Sequence, residues 1–127
     1  MRDHYQNEQE IQAVVAGFEE CITGKEQFTH LSHLTVGVYY LRNSTPDQAF
    51  EKMRSGLLRF LDHHGAGRTK YNERLTRSWL TLIQSVIKEM SPNLSLLVIT
   101  NAVLERLGNS RIPIEGEYEG QVDDKQN

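Results

Sequence analysis

The sequence predicts an all-α domain, a compact antiparallel bundle of about five helices. Apolar residues recur at helical spacing in five successive segments. No segment shows the sustained alternation of apolar and polar residues that marks a half-buried strand. The breaks between segments are short, so successive helices are expected to lie antiparallel.

The first segment has a continuous apolar face formed by Ile11, Val14, Val15, Phe18 and Ile22. Gly24 follows this face and can adopt the left-handed conformation that ends helices. The spacing therefore predicts a first helix whose buried face extends to Ile22 and which ends at Gly24.

The second segment begins at Thr29, a residue type that caps helix N-termini. Its apolar stripe consists of Leu31, Leu34, Val38 and Leu41. Asn43 and Ser44 are predicted to end this helix.

The third segment has the clearest start signal in the chain. Thr45-Pro46-Asp47-Gln48 combines an N-cap, a proline at the first helical position, an acid in the first turn and a capping-box glutamine. Gly65 is expected to end the helix. The predicted inner face consists of Phe50, Met53, Leu57, Phe60, Leu61 and His64.

A loop at residues 65–70 precedes two further helices. The fourth is predicted to run to Ser91-Pro92-Asn93, with an inner face of Leu75, Trp79, Leu82, Ile83, Val86 and Met90. The fifth runs from Leu94 to Leu107 and ends at Gly108, with Leu96, Ile99, Val103 and Leu107 inward. We expect residues 1–114 to form one domain that includes an extended piece at 111–114, and residues 115–127 to form a flexible acidic tail.

Composition limits the classes of function. The 127 residues are 38% hydrophobic and 24% charged, as in ordinary globular domains. No apolar run approaches the length of about 18 residues that a membrane span needs. The N-terminal stretch is polar, without an apolar signal core, so we expect a cytoplasmic protein with no membrane partner. The single Cys21 excludes a disulfide framework, and any metal must be held by nitrogen and oxygen ligands.

The formal charge of −3 is unevenly distributed. Residues 1–26 carry two basic and six acidic side chains, residues 115–127 carry one and five, and the middle of the chain is therefore net +5. A solvated basic surface is the simpler interpretation of the middle, and the overall acidity argues against nucleic acid as a partner. Beside a predicted helix N-terminus, a phosphate or carboxylate is the alternative. The candidates for anion binding are Arg68, Lys70, Arg74 and Arg77.

A polar cluster is predicted at one end of the bundle. In an antiparallel arrangement, the start of the second helix, the end of the third and the start of the fourth share that end. His30 and His33 are three residues apart and project from one side of the second helix. The expected members of the cluster are His30, His33, His64, Tyr71, Asn72 and Glu73.

Such a cluster supports several chemistries. Three imidazoles with an open position would hold a divalent metal, with His30, His33 and His64 as ligands. A histidine beside a tyrosine or a carboxylate would act as a general acid or base, which makes His30, His33, Tyr71 and Glu73 the catalytic candidates. The alternative is that these histidines only bond to neighbouring carbonyl groups in the core.

Four stretches of the chain form a distinctive pattern: Phe28-Thr29-His30-Leu31-Ser32-His33-Leu34, Tyr40-Leu41, His64-Gly65 and Tyr71-Asn72-Glu73-Arg74-Leu75-Thr76-Arg77-Ser78-Trp79. They resemble a family of small uncharacterised bacterial helical proteins. The family pattern is aromatic-x-His-x-x-His-Leu, Tyr-Leu, His-Gly and Tyr-His-Glu-x-x-Thr-x-x-Trp, and the resemblance covers roughly residues 28–90. Asn72 stands where the pattern has histidine, so one imidazole is missing here. The resemblance implies where a site lies and supplies no reaction.

The sequence is compatible with three functions. The first is a small enzyme or metal-dependent protein that acts on an unknown small molecule at the histidine cluster. The second is a non-catalytic interaction module that binds a protein partner or a second copy of the chain through an exposed apolar helix face. The third is anion binding through the basic loop.

Overall fold

The computed structural model of the chain describes residues 4–109. They form five α-helices: α1 (Glu8–Glu19), α2 (His30–Asn43), α3 (Pro46–His63), α4 (Glu73–Lys88) and α5 (Leu96–Leu107). The described residues contain no strand, and the helices pack on one another, so the predicted compact all-α bundle is confirmed. One turn of 3-10 helix, Arg68–Lys70, lies between α3 and α4. The extended piece at 111–114 and the acidic tail at 115–127 lie outside the described residues.

Side-chain caps define where the helices begin. Thr29 starts α2 and Thr45 starts α3, each in a capping box with the residue three positions later. Both predicted starts are confirmed, and so is the end of α3 near Gly65, whose φ is 69°. The start of α5 lies later than predicted because the hydroxyl of Ser95 accepts the backbone N–H of Val98 at 3.2 Å.

The end of α1 differs from the prediction. The helix stops at Glu19, and Cys21 already takes the left-handed conformation, with a φ of 58°. The amide of Ile22 then donates to the carbonyl oxygen of Gly17 at 2.9 Å, as in a Schellman motif. The predicted end at Gly24 is therefore wrong. Ile22 leaves the apolar face and is 73% exposed.

The core has two parts that both include residues of α2, the helix that packs against all four others. The aliphatic half is formed mainly by α2, α4 and α5, with one residue of α1, and consists of Ile11, Leu34, Val38, Ile83, Val86, Leu96, Ile99, Val103, Leu104 and Leu107. The aromatic half is formed mainly by α1, α2 and α3, with one residue of the turn after α1 and one of α4, and consists of Val15, Phe18, Cys21, Val36, Tyr40, Ala49, Phe50, Met53, Phe60 and Leu80. None of the helices in residues 4–109 is long and apolar enough to cross a membrane.

Tyr5 fixes the segment before α1 to the bundle. Its amide donates to Asn101 Oδ1 at 3.0 Å, and Asn101 Nδ2 donates to its carbonyl oxygen at 3.0 Å. Its hydroxyl lies 2.9 Å from the hydroxyl of Thr35. From the sequence alone, this segment is only a polar stretch. The available signal was Asn101, a polar residue in a helix whose other buried residues, apart from Thr100, are apolar.

Candidate functional site

A cavity of about 650 Å³ lies at the end of the bundle where α3 ends and α4 begins. We call it the outer cavity. Its volume falls in the range of small-molecule sites. The wall comes from the loop before α2, from α2 and α3, and from the connection into α4. Its residues are Lys25, Phe28, His33, Leu57, Phe60, Leu61, Ala66, Thr69, Lys70, Tyr71, Asn72, Leu75 and Thr76.

A second cavity of about 230 Å³ lies next to the first. We call it the inner cavity. Its walls are mainly apolar and come from α2, α3 and α4. They consist of His30, His33, Leu34, Met53, Leu57, Leu75, Thr76, Trp79, Leu80 and Ile83. The two cavities share four wall residues, which we call the collar: His33, Leu57, Leu75 and Thr76.

His33 faces both cavities. Its ring lies 4.5 Å from the ring of Phe28, and the side chain is accessible to solvent. Protein atoms around the imidazole desolvate it in part, and this lowers its pKa to about 4. The nearby backbone of Thr29 opposes the shift, and His30 adds a smaller lowering. The ring is therefore neutral near pH 7, where it can donate or accept a hydrogen bond but is a weak base.

His30 is fixed to another helix. Its Nε2 lies 3.2 Å from the carbonyl oxygen of Leu107 on α5, and its ring meets the ring of Trp79 at 4.7 Å. This is the arrangement of a core histidine whose polar edge is already bonded. A carbonyl oxygen only accepts, so Nε2 carries the proton and is not the nitrogen that could bind a metal.

His64 also lies apart from the other two candidate ligands. Ring contacts run from His33 to Phe28, from Phe28 to Phe60 and from Phe60 to His64, at 4.5, 5.1 and 4.5 Å. In residues 4–109, no group of three His, Cys, Asp or Glu side chains is arranged to hold a metal ion. The structure therefore does not bring His30, His33 and His64 to one point, because aromatic rings and a carbonyl group occupy their surroundings.

The residues around the start of α4 stabilise the helix and also line the outer cavity. Asn72 lines the outer cavity, but its Oδ1 accepts the backbone N–H of Leu75 at 2.9 Å and caps the helix. The Tyr71 ring lines the same wall, while its hydroxyl is buried without a hydrogen-bond partner and burial raises its pKa. Thr76 lies beside that hydroxyl and donates to the carbonyl oxygen of Asn72 at 2.9 Å.

Glu73 lies outside both cavities. Its carboxylate pairs with Arg54 at 3.3 Å and with Arg77 at 3.9 Å on the exposed surface. It is therefore not positioned to act on a molecule in either cavity.

The four residues predicted to bind an anion do not share one location in the structure. Arg68 pairs with Asp62 at 2.8 Å, and this contact lowers the pKa of that carboxyl group. Arg77 lies 3.8 Å from the centre of the Phe50 ring. Neither these two nor Arg74 lines the outer cavity. Of the four, only Lys70 does.

Lys25 is the second cation of this wall and was not among the residues predicted from the sequence. The signal was its position shortly before the cap of α2, which places the preceding loop at the same end of the bundle as the end of α3. Lys25 and Lys70 are both exposed, and no Asp or Glu lines the outer cavity.

Comparison with known proteins adds no relative. No protein-family model, no curated protein and no solved structure matches the chain. The resemblance to the bacterial helical family thus stays a prediction, and functional argument depends on the geometry of the cavities.

Proposed function

We propose that this protein binds a small organic anion in the outer cavity. The observation that carries the proposal is the composition of the wall. It joins two lysines to an aromatic and aliphatic surface and contains no acidic side chain. An anionic group beside Lys25 and Lys70 and an apolar body against Phe28 and Phe60 would match both parts.

Local electrostatics support an anion in this place. The first turn of α4 lines the wall through Asn72 and Leu75, and a helix N-terminus carries a partial positive charge of about half an elementary charge. Lys25 and Lys70 form no ion pair with a described acidic residue, so their charges remain available to a ligand. His33 is neutral near pH 7 and adds a hydrogen-bonding group without opposing charge.

Binding fits these groups better than catalysis. With its pKa lowered to about 4, His33 is a poor general base near neutral pH. The Tyr71 hydroxyl is buried, and its raised pKa makes it a reluctant acid. Within residues 4–109, the exposed large apolar side chains are Ile22, in the turn after α1, and Val98, on α5, and single exposed residues of this kind are normal on a protein surface.

A titration with hexanoate and its uncharged isostere hexanamide tests the proposal. We expect hexanoate to shift backbone amide NMR signals at residues 25–28 and 66–76, and hexanamide to bind about tenfold more weakly, since it lacks the charge that the lysines attract. Added salt should weaken only the binding of hexanoate.

Two lysine variants supply the matched comparison. We expect the double variant Lys25→Met and Lys70→Met to lose about tenfold in hexanoate affinity. Lys88→Met is the control, because Lys88 is the last residue of α4 and lines neither cavity. Equal affinity for hexanamide and hexanoate would contradict the proposal. So would an equal loss of hexanoate affinity in the double variant and in Lys88→Met.

A further inference from the structure

We infer that the bound anion carries an unbranched apolar chain, which passes the collar and occupies the inner cavity. The ligand class is therefore a medium-chain alkanoate or an acid of the same shape. This inference rests on the proposed function, because the charged end is the part that Lys25 and Lys70 would hold.

The collar is the boundary that the two cavities share. Its four side chains come from three helices: His33 from α2, Leu57 from α3, and Leu75 and Thr76 from α4. His33 is exposed and the other three are half-buried, so none belongs to the fully buried core. A chain that lies against Phe28 and Phe60 in the outer cavity therefore meets these side chains next.

The cavity wall is charged and polar on the outer side of the collar and mainly apolar on the inner side. A ligand with a charged end and a hydrocarbon chain matches this change. In the inner cavity, the polar groups of His30 and Thr76 are already bonded to the carbonyl oxygens of Leu107 and Asn72. Most of its remaining wall is apolar and includes Leu34, Met53, Trp79, Leu80 and Ile83. A hydrocarbon chain there leaves none of these bonded groups unpaired, whereas the charged end stays with the lysines.

The volume of the inner cavity limits the chain. A water molecule occupies about 30 Å³ of liquid volume, and a methylene group is of similar size. The inner cavity of about 230 Å³ thus holds on the order of six to eight chain atoms. We expect affinity to rise about fourfold for each methylene group buried and to level off near octanoate or decanoate.

Trp79 makes the inference directly measurable. It is the single tryptophan of the chain, and it lines the inner cavity but not the outer one. A bromine atom that touches an indole ring quenches its fluorescence. We expect 8-bromooctanoate to quench Trp79 strongly and 2-bromooctanoate, with the same charge and length, to quench it much less.

Filling the inner cavity is the second test. Of the two cavities, Leu80 lines only the inner one, and it is 6% exposed. Leu80→Phe should therefore lower octanoate affinity about tenfold while butanoate affinity stays unchanged. Leu82→Phe is the control, since half-buried Leu82 lies on α4 and lines neither cavity. The quenching experiment needs only the unchanged protein, so it decides the matter if Leu80→Phe does not fold.

The outcomes separate the two ideas. Equal quenching by the two bromooctanoates, or equal affinity for butanoate and octanoate, would overturn the inference. The proposed function would still stand in that case if both acids bound in a way that depends on the lysines. If no alkanoate binds in a way that depends on Lys25 and Lys70, the proposed function fails and the inference fails with it.

Discussion

The two halves of the core differ in what they border. The aliphatic half is built from branched side chains, mainly on α2, α4 and α5. The aromatic half contains Phe60, which also forms part of the wall of the outer cavity. The inner cavity lies where the halves meet, since Leu34 and Ile83 belong to one, and Met53 and Leu80 to the other. This cavity therefore lies at the boundary between two separately packed groups of side chains and not inside either group.

Equal truncations in the two regions should give the largest contrast. Leu104 is 2% exposed in the aliphatic half, and Leu104→Ala should lower the free energy of unfolding by about 3 kcal/mol. Leu57 is a half-buried collar residue, so Leu57→Ala only widens existing space and should cost about 1 kcal/mol. Urea denaturation measures both values. Equal losses would show that the collar is packed as tightly as the core.

Two helical glycines offer a sharper comparison of packing. A Cβ atom on Gly56 would lie 2.6 Å from a ring carbon of Phe18, and that ring stacks on Phe28 at 4.7 Å. A Cβ atom on Gly37 would meet the end of the flexible Ile83 side chain at 2.8 Å, beside the inner cavity. The aromatic stack cannot yield as easily as an isoleucine methyl group.

We therefore expect Gly56→Ala to destabilise the fold by about 2 kcal/mol. Gly37→Ala should be close to neutral, because the gain of about 1 kcal/mol in helix propensity offsets the local adjustment. Thermal unfolding of the two variants provides the measurement. If Gly37→Ala proved the more harmful, the aromatic half would have to be the more adaptable one.

The helix starts could be predicted from the sequence because a cap depends on neighbouring residues. Thr29 and Thr45 bond to amides three positions away, so spacing alone locates them. The end of α1 was not predictable in this way, since Cys21 takes a conformation that usually belongs to glycine. The location of the site at one bundle end followed from topology. The separation of His30 from His64 did not, because the packing of aromatic rings determines where each imidazole points.

Variants of the caps of α4 and α5 distinguish an effect on folding stability from an effect on ligand binding. Asn72→Ala and Ser95→Ala should each cost about 1 kcal/mol of folding free energy, since each removes one side-chain cap. Only Asn72 lines the outer cavity, so only Asn72→Ala should also weaken hexanoate binding. Calorimetric titration of both variants, with Asn72→Ser as a cap-preserving control, tests this. Equal weakening by Ser95→Ala would place the effect in general destabilisation.

The smallest expected effect concerns acid stability. The pKa of His33 is lowered to about 4 in the folded protein, below its usual value of about 6.5 in an unfolded chain. The unfolded chain therefore takes up the proton first, and stability should fall as the pH drops from about 6.5 towards 4. Solvent access to His33 reduces the size of this loss.

The variant His33→Gln isolates that contribution. Its urea midpoint should decline less than that of the unchanged protein between about pH 7 and pH 5, because the variant lacks this proton uptake. Parallel declines would mean that His33 keeps its ordinary pKa and is better hydrated than the cavity wall suggests.

The thiol of Cys21 can report how often the turn after α1 opens. It is the single thiol, it is 7% exposed, and its Sγ lies 3.9 Å from the carbonyl oxygen of Arg59. Reagents such as dithionitrobenzoate can reach it only when the turn after α1 opens, so the modification rate under native conditions reports how often that turn opens. The same turn leads to Lys25, four residues further along the chain. A ligand held by Lys25 should therefore slow the labelling of Cys21, a kinetic signature that uses the chain's own thiol and needs no engineered residue.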